Sequence, residues 1–112
     1  MKDYLYIIRG GEDLSNKSPE YMEKHMKDWQ TWMGGIAQAG KLVGGQPLNN
    51  EGMTLVENGS KVIDRPLSEG KELVGGYLIF KANNLAEATE LGKECPGFEH
   101  GCTLEVREIA PM

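Results

Sequence analysis

The chain has 112 residues, of which 39% are hydrophobic and 26% are charged, as expected for a single globular domain spanning residues 1–112. Its formal net charge of −5, with no stretch rich in lysine and arginine, argues against nucleic acid and anionic membranes as partners. The apolar run near the N-terminus is too short to span a membrane and lacks a signal-type cleavage site, so we expect a cytoplasmic protein.

The first half of the chain predicts a strand followed by a long helix. Tyr4–Arg9 is aromatic and β-branched and runs into two glycines, which is typical of a strand that ends in a turn. Ser18 and Pro19 are residues that favour a helix N-terminus, and Gly40 is suited to its end. The apolar residues of this helix recur at steps of three and four: Met22, Met26, Trp29, Met33 and Ile36.

The second half predicts mainly strands. An Asn-Gly turn at 58–59 predicts a hairpin, and Asn84 with Glu87 forms a capping box at the start of a second helix. The predicted elements are a strand at 41–48, the hairpin at 53–64, a strand at 72–82, the helix up to Cys95 and a last strand at 102–109.

The order β-α-β-β-α-β with an extra hairpin predicts an α+β, ferredoxin-like split βαβ fold with both helices on one face of the sheet. The strands are nevertheless apolar on both sides, because Tyr4 and Tyr6 alternate with Leu5 and Ile7. A second copy of the sheet would cover the bare face. The sequence therefore predicts a homodimer built as a dimeric α+β barrel.

One segment carries a family resemblance. Residues 64–77, DRPLSEGKELVGGY, resemble the DGPFAETKE…GGY signature of the DGPF branch of the YCII-related family, with Arg65, Leu67, Ser68 and Gly70 as departures. Further similarity lies in HMKDW at 25–29, GKLVGG at 40–45, CP at 95–96 and LEVR at 104–107. The resemblance implies a ferredoxin-like dimer. Relatives are mostly uncharacterised, some are associated with extracytoplasmic-function sigma factors, and one is a dehalogenating enzyme of aromatic degradation thought to use a His and Asp pair.

His25 and Asp64 are the candidate catalytic residues. A histidine titrates near neutral pH and can act as a general acid or base, and a facing carboxylate would fix its tautomer. Each has an ordinary structural alternative. His25 falls at the edge of the apolar stripe and could simply bond a neighbour, whereas Asp64 could accept backbone hydrogen bonds in a turn whose glycine is replaced by Arg65.

Four further residues are candidates for substrate binding. Trp32 and Tyr21 lie on the same shoulder of the helix as His25, where they could line an aromatic pocket. Arg9 and Arg107 could hold a carboxylate in bidentate fashion, or each could pair with an acid such as Glu105. Glu69, Lys71 and Glu72 are interpreted first as a solvated loop with local ion pairs.

Cys95, His100 and Cys102 lie close in sequence but lack the paired spacing of a zinc site, so we expect no metal and no cofactor. We expect both cysteines to be reduced thiols. Two functions remain open at this level. One is an acid–base enzyme acting on a small carboxylated or aromatic metabolite in a cleft between the first helix and the sheet; the other is a non-catalytic ligand-binding or regulatory module.

Overall fold

The structure is a computed structural model that describes residues 1–69 and 72–112. Lys71, and the side chains of Glu69 and Glu72, fall outside the described residues. The elements in chain order are β1 (Lys2–Gly10), α1 (Pro19–Gln38), β2 (Leu42–Pro47), β3 (Thr54–Val56), β4 (Lys61–Ile63), β5 (Ser68–Glu69), β6 (Glu72–Ala82), α2 (Leu85–Gly92), a 3₁₀ helix (Pro96–His100) and β7 (Cys102–Glu108).

The main sheet has the strand order β2-β6-β1-β7, and β5 pairs with β6. All of these pairings are antiparallel. Since β1 and β2 both run antiparallel to β6, they are parallel to each other with one strand between them, which is the split βαβ arrangement. The α+β class is confirmed, and the topology is compatible with a ferredoxin-like fold. The β3–β4 pair forms a separate two-stranded sheet.

Alternate residues of the central strands form the core beneath the helices. Tyr4 lies opposite Phe80 and Tyr6 opposite Leu78, and all four side chains are buried. The Tyr6 and Phe80 rings are 4.7 Å apart between centroids. Tyr6 donates a 2.6 Å hydrogen bond from its hydroxyl to the carbonyl of Ala88, which ties α2 to the middle of the sheet.

The start and end of α1 follow the predicted signals. The Ser18 hydroxyl accepts a 3.1 Å hydrogen bond from the backbone N–H of Tyr21, and Pro19 is the first helical residue. Gly40 has φ +75, a conformation that glycine adopts without strain, and it follows the end of the helix. The predicted core stripe is wrong at Met26, which is 55% exposed. Its neighbour His25 turns inward instead, so Met26, about 100° further round the helix, faces outward.

The other side of the sheet is not covered by either helix. Leu5 lies opposite Ile79 and Ile7 opposite Tyr77, and these four residues, here called the open face, are only partly buried. The molecule is 19 Å thick and about 45 Å across, which is the thickness of one helix layer on one sheet. Its accessible surface of 8034 Å² exceeds the roughly 6,100 Å² expected for a compact monomer of this mass.

Candidate functional site

The candidate site begins with two residues one turn apart on α1. The indole Nε1–H of Trp29 donates a 3.1 Å hydrogen bond to Nε2 of His25. An indole nitrogen can only donate, so Nε2 of His25 is the unprotonated nitrogen of the neutral ring and Nδ1 carries the hydrogen. The tautomer of His25 is therefore set by its own helix.

His100 is the partner of that N–H. It ends the 3₁₀ helix, where Gly101 adopts φ +79 and lets the chain turn into β7. Its ring is 4% exposed, and its Nε2 lies 3.0 Å from Nδ1 of His25. Because His25 donates, Nε2 of His100 accepts, and the hydrogen of the neutral His100 ring then lies on Nδ1.

Glu12 completes the chain of hydrogen bonds. Its Oε1 lies 3.1 Å from Nδ1 of His100, and its side chain is 49% exposed. The backbone N–H of Glu12 also donates a 2.8 Å hydrogen bond to the carbonyl of His100, which fixes the loop after β1 beside the 3₁₀ helix. The result is a directed series, Trp29 to His25 to His100 to Glu12, that leads from a partly buried helix face to solvent. We call these four residues the histidine relay.

Tyr21 covers the relay. Its hydroxyl lies 3.1 Å from Nδ1 and 3.4 Å from Nε2 of His100, and the two rings meet edge to face. The Lys17 ammonium sits 5.1 Å from the centre of the Tyr21 ring and 3.9 Å from Oε1 of Glu12. Tyr21 and Lys17 thus shield the buried His100 ring, and no buried side-chain nitrogen or oxygen of the described residues lacks a partner.

The surroundings favour the neutral form of His25. Burial lowers the pKa of His25, and the nearby His100 lowers it further. Asp28 and Glu99 oppose this effect without reversing it. His25 is therefore in its proton-accepting form at neutral pH.

Asp64 lies on an exposed turn after β4, where the N–H of Arg65 donates to the carbonyl of Ile63. Within the described residues no hydrogen bond or ion pair joins His25 to Asp64. Their pairing stays a prediction. The carboxylate found in the cluster belongs to Glu12, and it reaches His25 through His100.

The two candidate arginines lie on the other side of the sheet. Arg9 pairs with Glu105, whose partner in the β1–β7 register is the open-face residue Ile7. Nε of Arg107 lies 3.9 Å from Oε2 of the same glutamate, and its side chain is 70% exposed. The sheet separates both guanidinium groups from His25 of the same chain.

Trp32 lies in a groove between α1 and α2. Its indole N–H donates a 3.2 Å hydrogen bond to the carbonyl of Leu91, and its ring packs edge to face on Phe80. The groove has a volume of about 860 Å³, in the range of small-molecule sites. Its lining residues are Lys24, Asp28, Thr31, Trp32, Gly35, Ile36, Ala39, Lys41, Glu87, Glu90, Leu91, Glu94, Pro96 and Glu99. His25 is not among them.

Both cysteines are free thiols. Burial raises the pKa of Cys95 to about 11 and also raises that of Cys102, so neither is an activated nucleophile. Among the described residues no group of His, Cys, Asp and Glu side chains is arranged to hold a metal ion. No helix in residues 1–69 and 72–112 is long and apolar enough to cross a membrane.

The sequence interpretation missed Glu12 and considered His100 only as a metal ligand. His25 and His100 are 75 residues apart, and no local pattern links them. The one usable signal was that His25 and His100 are the two histidines of the chain.

The fold and the relay define a class: an α+β protein with a split βαβ sheet, in which a partly buried histidine of α1 is linked through the buried His100 to a carboxylate. The model of the YCII-related domain matches residues 3–112, which is nearly the whole chain. The chain belongs to the YCII-related domain family. No curated protein is significantly similar to it.

Proposed function

We propose that this YCII-related protein, a member of the DGPF branch, is a small-molecule enzyme of the acid–base type in which His25 takes a proton from its substrate. The observation that carries the proposal is the histidine relay. A neutral His25, hydrogen-bonded through a buried His100 to the half-exposed Glu12, has the parts of a base with a route for the proton to solvent.

The proton movements follow from the hydrogen-bond directions. A substrate O–H or acidic C–H would take the place of the Trp29 N–H at Nε2 of His25 and lose its proton there. His25 could then pass its Nδ1 hydrogen to Nε2 of His100, and His100 its Nδ1 hydrogen to the Glu12 carboxylate. Each ring ends neutral with its hydrogen on the opposite nitrogen, and Glu12, 49% exposed, releases the proton to water.

The neighbourhood of His25 supports an aromatic substrate more than a carboxylated one. Trp29 and Tyr21 flank the relay, whereas Arg9 and Arg107 lie beyond the sheet and Arg9 is already paired with Glu105. The substrate class we propose is a small hydroxylated aromatic compound, whose ring carbons exchange protons when its hydroxyl is deprotonated.

Proton exchange tests this function directly. The protein would be incubated in D₂O with a panel of di- and trihydroxybenzenes, and loss of ring C–H signals would be followed by NMR. We expect the wild-type protein to exchange ring protons faster than buffer alone. In His25→Gln the rate above that of buffer should fall at least about a hundredfold, because a general base usually contributes about a hundredfold or more to the rate. Exchange that equals the buffer rate throughout, or that survives His25→Gln, would contradict it.

The proposed role of Asp64 is tested separately. Asp64→Asn lowers the NMR titration midpoint of His25 if the two side chains meet, since a nearby carboxylate favours imidazolium. Glu12→Gln is the matched variant for the carboxylate that the relay contains. A His25 midpoint that responds to Glu12→Gln and not to Asp64→Asn would leave Glu12, acting through His100, as the orienting carboxylate.

A non-catalytic binding module is the second candidate, and one contact favours it. The Trp29 N–H occupies Nε2 of His25, so no lone pair of that ring is free until a ligand displaces the indole. A regulator that only recognises its ligand would bind members of the panel, visible as NMR shifts at Trp29 and His25, with no proton exchange.

We also propose that the protein pairs with a second copy of itself through the open face. The apolar side chains of Leu5, Ile7, Tyr77 and Ile79 and the surplus of exposed surface support this pairing. The surplus of roughly 1,900 Å² over a compact monomer is large enough for a standard interface of about 800 Å² per partner. Two sheets packed face to face would form the dimeric α+β barrel.

A further inference from the structure

None of the four relay residues lines the groove between α1 and α2, although its lining residues Asp28 and Glu99 are near enough to His25 to raise the pKa of that ring. Trp32, Ile36 and Leu91 form the apolar floor of the groove. The Trp32 ring cannot swing away easily, because its N–H is bonded to the carbonyl of Leu91 and its edge packs on Phe80. The floor is therefore a fixed aromatic and aliphatic surface open to solvent.

The rim of this groove is acidic. Five carboxylates and two lysines line it. Both lysines are already paired, Lys24 with Asp28 at 3.3 Å and Lys41 with Glu87 at 3.1 Å. Glu94 and Glu99 make no ion pair within the described part of the chain. The uncompensated charge of the groove is therefore negative and lies along the side formed by the C-terminal end of α2 and the 3₁₀ helix.

From this charge and this floor we infer that the groove binds a small organic cation, an ammonium group carried on an aromatic or similarly flat apolar body. The ammonium pairs with Glu94 and Glu99 at the rim, and the apolar body lies on Trp32 and Leu91. An aromatic face also attracts a cation directly. An anionic ligand of the same size would meet the uncompensated carboxylates of Glu94 and Glu99 and is disfavoured. This inference does not depend on the proposed base His25, which does not line the groove.

The structure offers a matched pair of positions for testing occupancy. Gly35 lines the groove, and a Cβ built on it meets no atom within 4 Å. Gly34 precedes it in the same helix, is equally unobstructed and does not line the groove. Leucine at position 35 would project into the groove and obstruct it, whereas leucine at position 34 makes the same change of helix propensity outside it.

The experiment uses phenethylammonium as the probe, with 2-phenylethanol and 3-phenylpropanoate as its neutral and anionic counterparts. Binding is followed on the full chain by ¹H–¹⁵N NMR at the Trp32 indole N–H, with the Trp29 indole N–H as the internal reference. We expect a saturable shift of Trp32 with the cation, at least about fivefold weaker binding of the two counterparts, and loss of the shift in Gly35→Leu with retention in Gly34→Leu.

Two double variants test the charge requirement. The first combines Glu94→Gln with Glu99→Gln at the groove, and the control combines Glu23→Gln with Glu51→Gln, which removes the same net charge away from the groove. We expect about fivefold or more weaker binding in the first variant and no change in the second, and weaker wild-type binding as NaCl is raised. Any one of three results would overturn the inference: equal affinity for all three probes, binding of the cation that survives Gly35→Leu, or an equal loss of affinity in both double variants. We expect His25→Gln to leave this binding intact, because His25 does not line the groove, so a failure here is distinct from a failure of the acid–base function.

Discussion

Nδ1 of His25 and Nε2 of His100 lie 3.0 Å apart, although the two residues are separated by 75 positions in the chain. One comes from a long amphipathic helix and the other from a single 3₁₀ turn after α2. The contact joins the first half of the chain to its C-terminal end. Nδ1 of His25 donates to His100 and Nε2 accepts from Trp29, so protonation of His25 at Nε2 removes the acceptor for the Trp29 N–H and leaves the donor at Nδ1 in place.

Stability is expected to depend on pH through His25. Its pKa in the folded chain is below the value of about 6.5 in the unfolded chain, so the unfolded state binds more protons between the two values. The stabilisation is therefore present above the unfolded value and is lost as the pH falls through the folded value. Urea unfolding between pH 7 and pH 5 should show a decreasing free energy of unfolding, with a flatter profile in His25→Gln. Identical slopes for both proteins would contradict the assignment.

Much of the fold could be predicted because its signals are local. Three such signals act within a few residues: the Ser18-Pro19 helix start, the Asn84 side chain that accepts from the backbone N–H of Glu87, and period-two alternation. The reciprocal half of the predicted capping box is not formed, because the Glu87 carboxylate bonds Lys41 and Asn83. The relay could not be predicted in this way, since Glu12, His25 and His100 are far apart in the sequence and are brought together only by the tertiary structure. Met26 shows the same limit: its spacing fits the apolar stripe, but Met26 is exposed and its neighbour His25 contacts the distant His100.

The hydroxyl of Tyr6 is expected to contribute measurably to stability. It is fully buried and donates a 2.6 Å hydrogen bond to the carbonyl of Ala88. Tyr6→Phe removes one buried hydrogen bond without changing the ring, which should lower the free energy of unfolding by about 1 kcal/mol. Tyr77→Phe on the open face is the control and should have a smaller effect on the folded chain. Chemical denaturation measures both, and an unchanged midpoint for Tyr6→Phe would show that this bond adds nothing.

The two thiols should react slowly in the native protein and differ from each other. Burial raises the pKa of Cys95 to about 11, and its side chain is buried, whereas Cys102 is only partly buried. The thiolate is the reactive form, so alkylation by iodoacetamide at pH 8 should modify Cys102 first and Cys95 only after unfolding. Mass spectrometry of digested samples gives the order. Modification of Cys95 before Cys102, or a disulfide between them in freshly prepared protein, would contradict the prediction.

The open face should control the oligomeric state. A charge placed in its centre by Ile79→Asp would be buried without a partner in a sheet-to-sheet interface, which is strongly unfavourable. We expect wild-type protein at micromolar concentration to have twice the 12.4 kDa mass of the chain, measured by light scattering after size exclusion, and Ile79→Asp to shift toward the single-chain mass. Leu85→Asp is the control, since Leu85 is 54% exposed at the start of α2 on the helix side, away from the open face. It should remain dimeric.

A wild-type chain that stays monomeric and soluble would contradict the proposed dimer, because an uncovered apolar face formed by Leu5, Ile7, Tyr77 and Ile79 should associate. Dissociation by Leu85→Asp but not by Ile79→Asp would place the interface on the helices instead. An interface on the helices would also restrict access to the groove between α1 and α2. The oligomeric state of the two variants therefore also shows whether the helix side of the molecule is free to bind a ligand.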